Sequence, residues 1–460
     1  MTELIWEGKY DEQGRRRPVE RIALPFQVVE TINQSRATRE QAPLLAQGGA
    51  SPAASGWTNK LIWGDNQYVL ASLLQGDPST GLEPLAGKVD IIYIDPPFGT
   101  EQDFSYRARV GDEEWLKEAS VIEETAYRDT WGRGLDSYLH MLYERLVLMR
   151  ELLADTGSIY VHVDYGVAHY VKLLLDEIFG ADKFQNEIVW QRTSARSDSH
   201  TYNHIHDTIL FYTKSEQFTY TQQFTVYDEE YVEKFYHHVE SETGRRFTSS
   251  DLMAAGTRKG SSGMPWRGID PNDRGNHWKY TIEKLEELDR EGRIYRPPDG
   301  GVPRYKRYLD EMRGLALQSI WSDVKPVAAH AYERLGFDTQ KPEALLERII
   351  KASSCEGDLV ADFFCGSGTT MAVAEKLGRR WTGCDLSRYA IQVSRKRLLD
   401  TQDCQPFEVL NLGRYERRYW QVNILNGPQE DGSKAITDYL RFIVALYHAE
   451  PAGGYAHLHG

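Results

Sequence analysis

Apolar residues recur along this chain with two periods, and the two periods alternate. LIWGDN (61–66) is an apolar run broken by glycine and polar residues, as a strand ending in a turn is, and QYVLASLL (67–74) follows with helical spacing. VDIIYID (89–95) is a continuous β-favouring run, and SYLHMLYERLVLMRELLA (137–154) is a long amphipathic helix. GSIYVHVD (157–164) reads as a strand, and HYVKLLLDEIFG (169–180) as a helix closed by glycine. This β-α-β-α succession predicts a parallel sheet covered by helices on both faces.

The rhythm changes from about Asn186. IVWQRT (188–193) and DTILFYTK (207–214) read as strands, but residues 218–325 carry charges, tyrosines, glycines and turns with no βα alternation. An inserted domain of a different kind explains that stretch. A helix returns at TQKPEALLERIIKAS (339–353), then GDLVADFF (357–364) as strand, TTMAVAEKL (369–377) as helix, RRWTGCDL (379–386) as strand and SRYAIQVSRKRLL (387–399) as helix. Beyond 400 a strand at ERRYWQVNIL (416–425) and a helix at TDYLRFIVALYHA (437–449) are expected. The chain stops on HLHG with no terminating element, as a truncated chain would. The expected organisation is therefore 1–56 as an N-terminal extension, 57–215 and 326–400 as two halves of one α/β domain, 216–325 as an α+β insertion, and 401–460 as a C-terminal extension.

Length and composition fit this division. The 460 residues are 41% hydrophobic, enough for more than one core. No run of 18 apolar residues appears, so no membrane span is expected, and the polar start MTELIWEGKYDEQGRRR is not a secretory signal. The four cysteines (Cys355, Cys365, Cys384, Cys404) form no CxxC pair, which fits reduced thiols in a cytoplasmic protein. The net charge of −14 argues against a general polyanion binder, yet residues 245–313 hold 15 Lys/Arg against 11 Asp/Glu. Within that stretch Arg293, Arg296, Arg304, Lys306 and Arg307, interleaved with Tyr295, Tyr305 and Tyr308, read either as phosphate and base contacts or as a solvated hairpin.

Two loops carry candidate chemistry. CGSGTT (365–370) follows a strand and opens a helix, so its glycines would let a ligand approach the backbone at a helix N-terminus; an ordinary strand-ending turn is the alternative. Neither GxGxxG nor a Walker-type phosphate loop is present. The next strand ends in Asp385, where acids bind ribose hydroxyls in nucleotide-type α/β folds. Asp95 ends the strand before Pro96, Pro97 and Phe98. A carboxylate beside the Pro96 carbonyl offers two acceptors to an NH2 group, and Phe98 offers a flat face for a base. A helix-capping Asp in a tight turn is the alternative. HTYNHIHD (200–207) could hold a metal through His200, His204 and His206 with Asp207, or be a polar lead into a strand; no metal is expected.

DPPF with FFCGSGTT far downstream resembles the amino-methylating DNA methyltransferases that use S-adenosylmethionine. The order, with the catalytic stretch first and the cofactor loop last, is similar to that of the permuted β-class adenine-N6 enzymes and the modification subunits of type III restriction systems. LIWGDNQYVLASL and TQKPEALLERIIKAS also match that family, and the resemblance covers roughly residues 57–215 and 320–400. It implies a Rossmann-like methyltransferase sheet with an inserted α+β target-recognition domain. It implies further that Asp95, Pro96, Pro97 and Phe98 hold a flipped-out adenine. Phe364, Cys365, Gly366, Gly368 and Thr369 would border the methionine part of the cofactor, with Cys365 a departure at a position that tolerates either a small Ala or a Cys. Asp385 would take the ribose hydroxyls, Asp65 would lie near the cofactor's adenine, and Lys341 would approach its carboxylate. The implied substrate is double-stranded DNA. Cytosine N4, an RNA base or a non-catalytic DNA-binding role remain alternatives, and a homodimer or a restriction subunit of a defence system are the protein partners left open. No nuclease or helicase motif is present, so restriction would need a partner chain.

Overall fold

The computed structural model describes residues 3–33, 57–97, 106–110, 113–117, 134–193, 200–328, 330–337 and 339–412. Phe98 and the elements expected at 416–425 and 437–449 lie outside the described residues. Ten strands form one sheet: β1 (Gln27–Ile32), β2 (Asn59–Trp63), β3 (Val89–Ile94), β4 (Leu153–Val163), β5 (Phe184–Gln191), β6 (His206–Thr213), β7 (Ile320–Trp321), β8 (Leu359–Asp362), β9 (Arg380–Asp385) and β10 (Phe407–Asn411). Their spatial order is β1-β10-β2-β9-β8-β3-β4-β6-β5-β7. From β10 to β4 every neighbouring pair is parallel. β6 runs antiparallel to both β4 and β5, and β1 runs antiparallel to β10.

Helices cover both faces. α1 (Asn66–Gln75), α2 (Leu135–Leu152) and α3 (Tyr165–Phe179) lie on one, and α4 (Glu343–Ser353), α5 (Thr369–Lys376) and α6 (Arg388–Leu399) on the other. The alternation of side chains along β3 decides which residues meet which layer. Ile92 and Ile94 join the cluster built by α1, α2 and α3, whereas Ile91 and Tyr93 join that built by α4, α5 and α6. Burial on both faces is why this strand is a continuous apolar run rather than an alternating one.

The two halves of the domain meet at β3 and β8, where Val360 pairs with Ile91 and Ala361 with Ile92. From β3 the chain crosses through α2 to β4 on one side, and from β8 it crosses through α5 to β9 on the other. The crossovers diverge at this seam, and ligands of open α/β sheets bind outside the carboxyl ends of the strands at such a point. Residues 27–32 add the edge strand β1, and Trp6 and Phe26 enter the core, so the N-terminal stretch is built into the same sheet.

The stretch Gln222–Leu317 forms a second compact unit. His238–Val239, Arg246–Asp251, Arg304–Tyr308 and Ile294–Tyr295 form its antiparallel sheet in that order, with helices Glu229–Phe235 and Ile282–Arg290. It buries its own core of Leu252, Trp266, Trp278, Leu285, Leu288 and Ile294. The α+β character read from the sequence is present. No described helix is long and apolar enough to cross a membrane.

Candidate active site

β3 delivers Asp95 to the carboxyl edge of the sheet, where Pro96 and Pro97 end hydrogen-bonded pairing. The Asp95 carboxylate is largely buried, and Oδ2 accepts from the Lys341 ammonium in an ion pair. Oδ1 is buried and takes no hydrogen bond among the described residues. The loop after β8 stands at the same edge. Asp362 is buried at the tip of β8, accepting from the Phe364 amide through Oδ1 at 3.0 Å and from the Thr370 hydroxyl through Oδ2. The Asn66 side-chain amide donates to the Phe363 carbonyl at 2.8 Å, so the start of α1 braces this loop.

The glycine loop is shaped by close contacts. Gly366 has φ +50° and donates its amide to Asp385 Oδ2 at 2.8 Å, which ties the loop to the end of β9. Gly368 has φ +76°, and a Cβ there would lie 2.7 Å from Ser394 Oγ and 2.8 Å from Ser394 Cβ. Glycine is required because α6 passes this close and the backbone is left-handed. Cys365 is buried, which pushes its thiol well above the ordinary range; its amide donates to the Cys384 carbonyl at 3.0 Å. Phe364 is half-buried against the core. The Thr369 hydroxyl donates to the Lys341 carbonyl at 3.3 Å and accepts from Arg397 at 2.8 Å. Lys341 thus touches both loops.

Asp65 caps α1, accepting from the Gln67 amide at 2.8 Å, and pairs with Arg145 at 2.8 Å. Asp385 also accepts from the Ser387 amide at 2.8 Å. Beside Gly366 stand two aromatic rings that sequence reading missed, Phe337 and Tyr389, 6.0 Å apart and nearly parallel. Asp362 was missed as well. Burial raises its carboxyl to about 7, the Thr370 and Phe364 hydrogen bonds oppose this, and the charges of Asp95 and Asp385 add to it. Asp95, Asp362 and Asp385 therefore share one neighbourhood, and Asp95 is paired with Lys341.

The other sequence candidates have partners of their own. Arg293 pairs with Glu311, Arg296 with Asp289, Arg304 with Asp251 and Lys306 with Glu240, all inside the second unit. Arg307 is exposed. Asp207 does not face the histidine cluster: it is buried and bonds His162 at 3.1 Å, while His204 stacks on Tyr165.

A family model for N6/N4 methyltransferases, described as DNA methylase, matches residues 89–396, the span that holds both loops. The chain belongs to this DNA methylase family. It is 34% identical over 340 residues to the type II methyltransferase M.EcaI of Enterobacter cloacae, covering 74% of this chain and 69% of that protein. It is 30% identical over 353 residues to the StyLTI Mod subunit, a type III restriction-modification enzyme of Salmonella typhimurium, covering 70% of this chain and 51% of that protein. The methylase thus spans about half the length of that Mod subunit. Among solved structures, the M1.HpyAVI–SAM complex is 16% identical, with a TM-score of 0.36 over 74% of this chain and 98% of that one.

Proposed function

We propose that this DNA methylase transfers a methyl group from S-adenosylmethionine to N6 of an adenine flipped out of double-stranded DNA, as the modification component of a restriction-modification system. The observation that carries the reading is the seam between β3 and β8, which sets Asp95 beside the glycine loop at one sheet edge. The residues fit the donor. Gly366 leaves room that a Cβ would take from Phe337, 3.3 Å away, and the carboxylates of Asp95 and Asp385 favour a sulfonium cation.

When bound, S-adenosylmethionine supplies a methyl group already activated by the positive charge on sulfur. The protein's task is then to present the amine. The adenine N6 lone pair is delocalised into the ring, so the amine is a poor nucleophile. Asp95 Oδ1 and the Pro96 carbonyl accept its two N–H groups and draw the lone pair onto nitrogen. Nitrogen would take the methyl carbon while the carbon–sulfur bond gives up its electron pair to sulfur, and the proton then lost from the amine would pass to Asp95 Oδ1 and on to water. Extrusion of the base costs a few kcal/mol, and stacking on Phe98 offsets part of it. The Asp-Pro-Pro-Phe form is similar to that of the adenine-N6 enzymes, whose cytosine-N4 relatives more often begin with Ser, and this likeness supports adenine as the base. The second unit, with its Arg and Tyr strands, supplies sequence recognition, and cleavage falls to a partner subunit.

The test is to incubate the purified protein with unmodified DNA and labelled donor, digest, and identify the nucleoside. N6-methyladenine supports the reading. N4-methylcytosine would reassign the base, and label in RNA alone would reassign the substrate.

A further inference from the structure

We propose that Lys341 is a positioning residue for the acceptor: its ammonium holds one oxygen of Asp95 so that the other faces the incoming amine. This deepens the methyl-transfer reading above and rests on it. It gives Lys341 a task other than the donor-carboxylate contact that the family resemblance implies.

The two oxygens of Asp95 are unequal. Oδ2 is paired with Lys341 Nζ, and Oδ1 is buried with no hydrogen-bond partner among the described residues. A buried carboxylate oxygen left without a donor is costly, so its persistence here marks an acceptor kept for a ligand. A carboxylate is planar, and fixing one oxygen limits rotation about the Cβ–Cγ bond and so fixes the direction of the other. The pair is shielded from water on both sides, with side-chain exposures of 12% for Lys341 and 16% for Asp95.

A lysine can fix a carboxylate only if its own backbone is fixed, because its stem is long and flexible. This one is braced. Its carbonyl accepts from the Thr369 hydroxyl. Its neighbour Gln340 reaches back, accepting from the Leu335 amide at 2.9 Å and donating to the Glu333 carbonyl at 2.6 Å. Pro342 follows as the N-cap of α4, and Glu343 is held by Arg397 at 2.8 Å. The lysine therefore projects from a stiffened turn whose carbonyl is docked on the first residue of α5. Placement of the cofactor loop and placement of Asp95 are mechanically joined through one side chain.

The experiment compares Lys341→Met, which keeps the stem and loses the charge, with Lys341→Arg. For Lys341→Met, kcat for DNA methylation should fall about 100-fold, the size expected for a reacting group displaced by about an ångström. S-adenosylmethionine affinity by calorimetry should change less than about threefold, and Lys341→Arg should recover about tenfold of the lost rate. A loss of donor affinity matching the loss of rate would overturn the proposal, as would an arginine variant no faster than the methionine one. A crystal structure of the wild type with S-adenosylmethionine decides the matter without activity. Nζ remaining on Asp95 supports the proposal, and Nζ moved onto the donor's carboxylate overturns it. A wild type that binds donor but modifies no DNA would count against the methyl-transfer reading alone, and the crystal readout would still judge Lys341.

Discussion

The Leu359 amide donates to the Asp90 carboxylate at 2.8 Å, joining β8 to β3 across 269 residues of chain. This bond sits at the start of the seam whose other end carries Asp95 and the glycine loop. Everything between the two strands in sequence, including the whole second unit, is spanned by a pairing a few residues long. The register of that pairing fixes which loops become neighbours.

Asp385 ties β9 to the loop through Gly366, and the proposed reading gives its carboxylate the ribose hydroxyls of the donor. Replacing it with alanine should weaken S-adenosylmethionine binding at least about tenfold, or about 1.4 kcal/mol. Calorimetric affinity equal to wild type would remove Asp385 from the donor site.

Gly368 is fixed by both its left-handed φ and the approach of Ser394. Gly368→Ala should cost about 2 kcal/mol of stability, from the positive φ and from overpacking against α6. Urea denaturation with an unchanged midpoint would show that α6 can move aside.

Asp362's raised carboxyl was not legible from residue order, because its cause is burial, and burial is a tertiary property. The strands and helices from 61 to 214 and from 339 to 399 were legible because each presents a continuous or periodic apolar face. β1 was not: QVVETI is mostly exposed at a sheet edge and lacks a buried stripe. β10 was missed because five residues, Phe407–Asn411, carry too little pattern. In the site, Asp95, Gly366, Gly368 and Asp385 were legible from chemistry at strand ends. The partnerships were not, since Asn66 meets Phe363 and Lys341 meets Asp95 only after the halves join. The charges of Arg293, Arg296, Arg304 and Lys306 were visible in sequence, but not the carboxylates that pair with them.

Burial pushes the Asp362 carboxyl up to about 7, from an ordinary value of 3.8. A group whose folded pKa is raised stabilises the fold below the unfolded pKa and loses that contribution as pH rises through the folded one. Stability should therefore fall between about pH 4 and 7, by an amount on the order of a few kcal/mol. Asp362→Asn should flatten this fall. Thermal unfolding in a pH series checks it, and parallel profiles for wild type and variant would contradict it.

Asp65 caps α1 and pairs with Arg145, whose side chain is almost fully buried. Asp65→Ala removes a cap and leaves a buried guanidinium without its carboxylate, which should cost about 2–4 kcal/mol. Donor affinity should stay within about threefold. A variant of native stability that fails to bind the donor would move Asp65 from scaffold to ligand contact.

The central claim is that Asp95 accepts the amine beside a donor held on the glycine loop. Methyl transfer by Asp95→Ala, measured with labelled S-adenosylmethionine on unmodified DNA alongside calorimetric donor binding, tests it most directly. The account predicts no detectable N6-methyladenine from the variant while it still binds the donor. Methylation by the variant at the wild-type rate would contradict it.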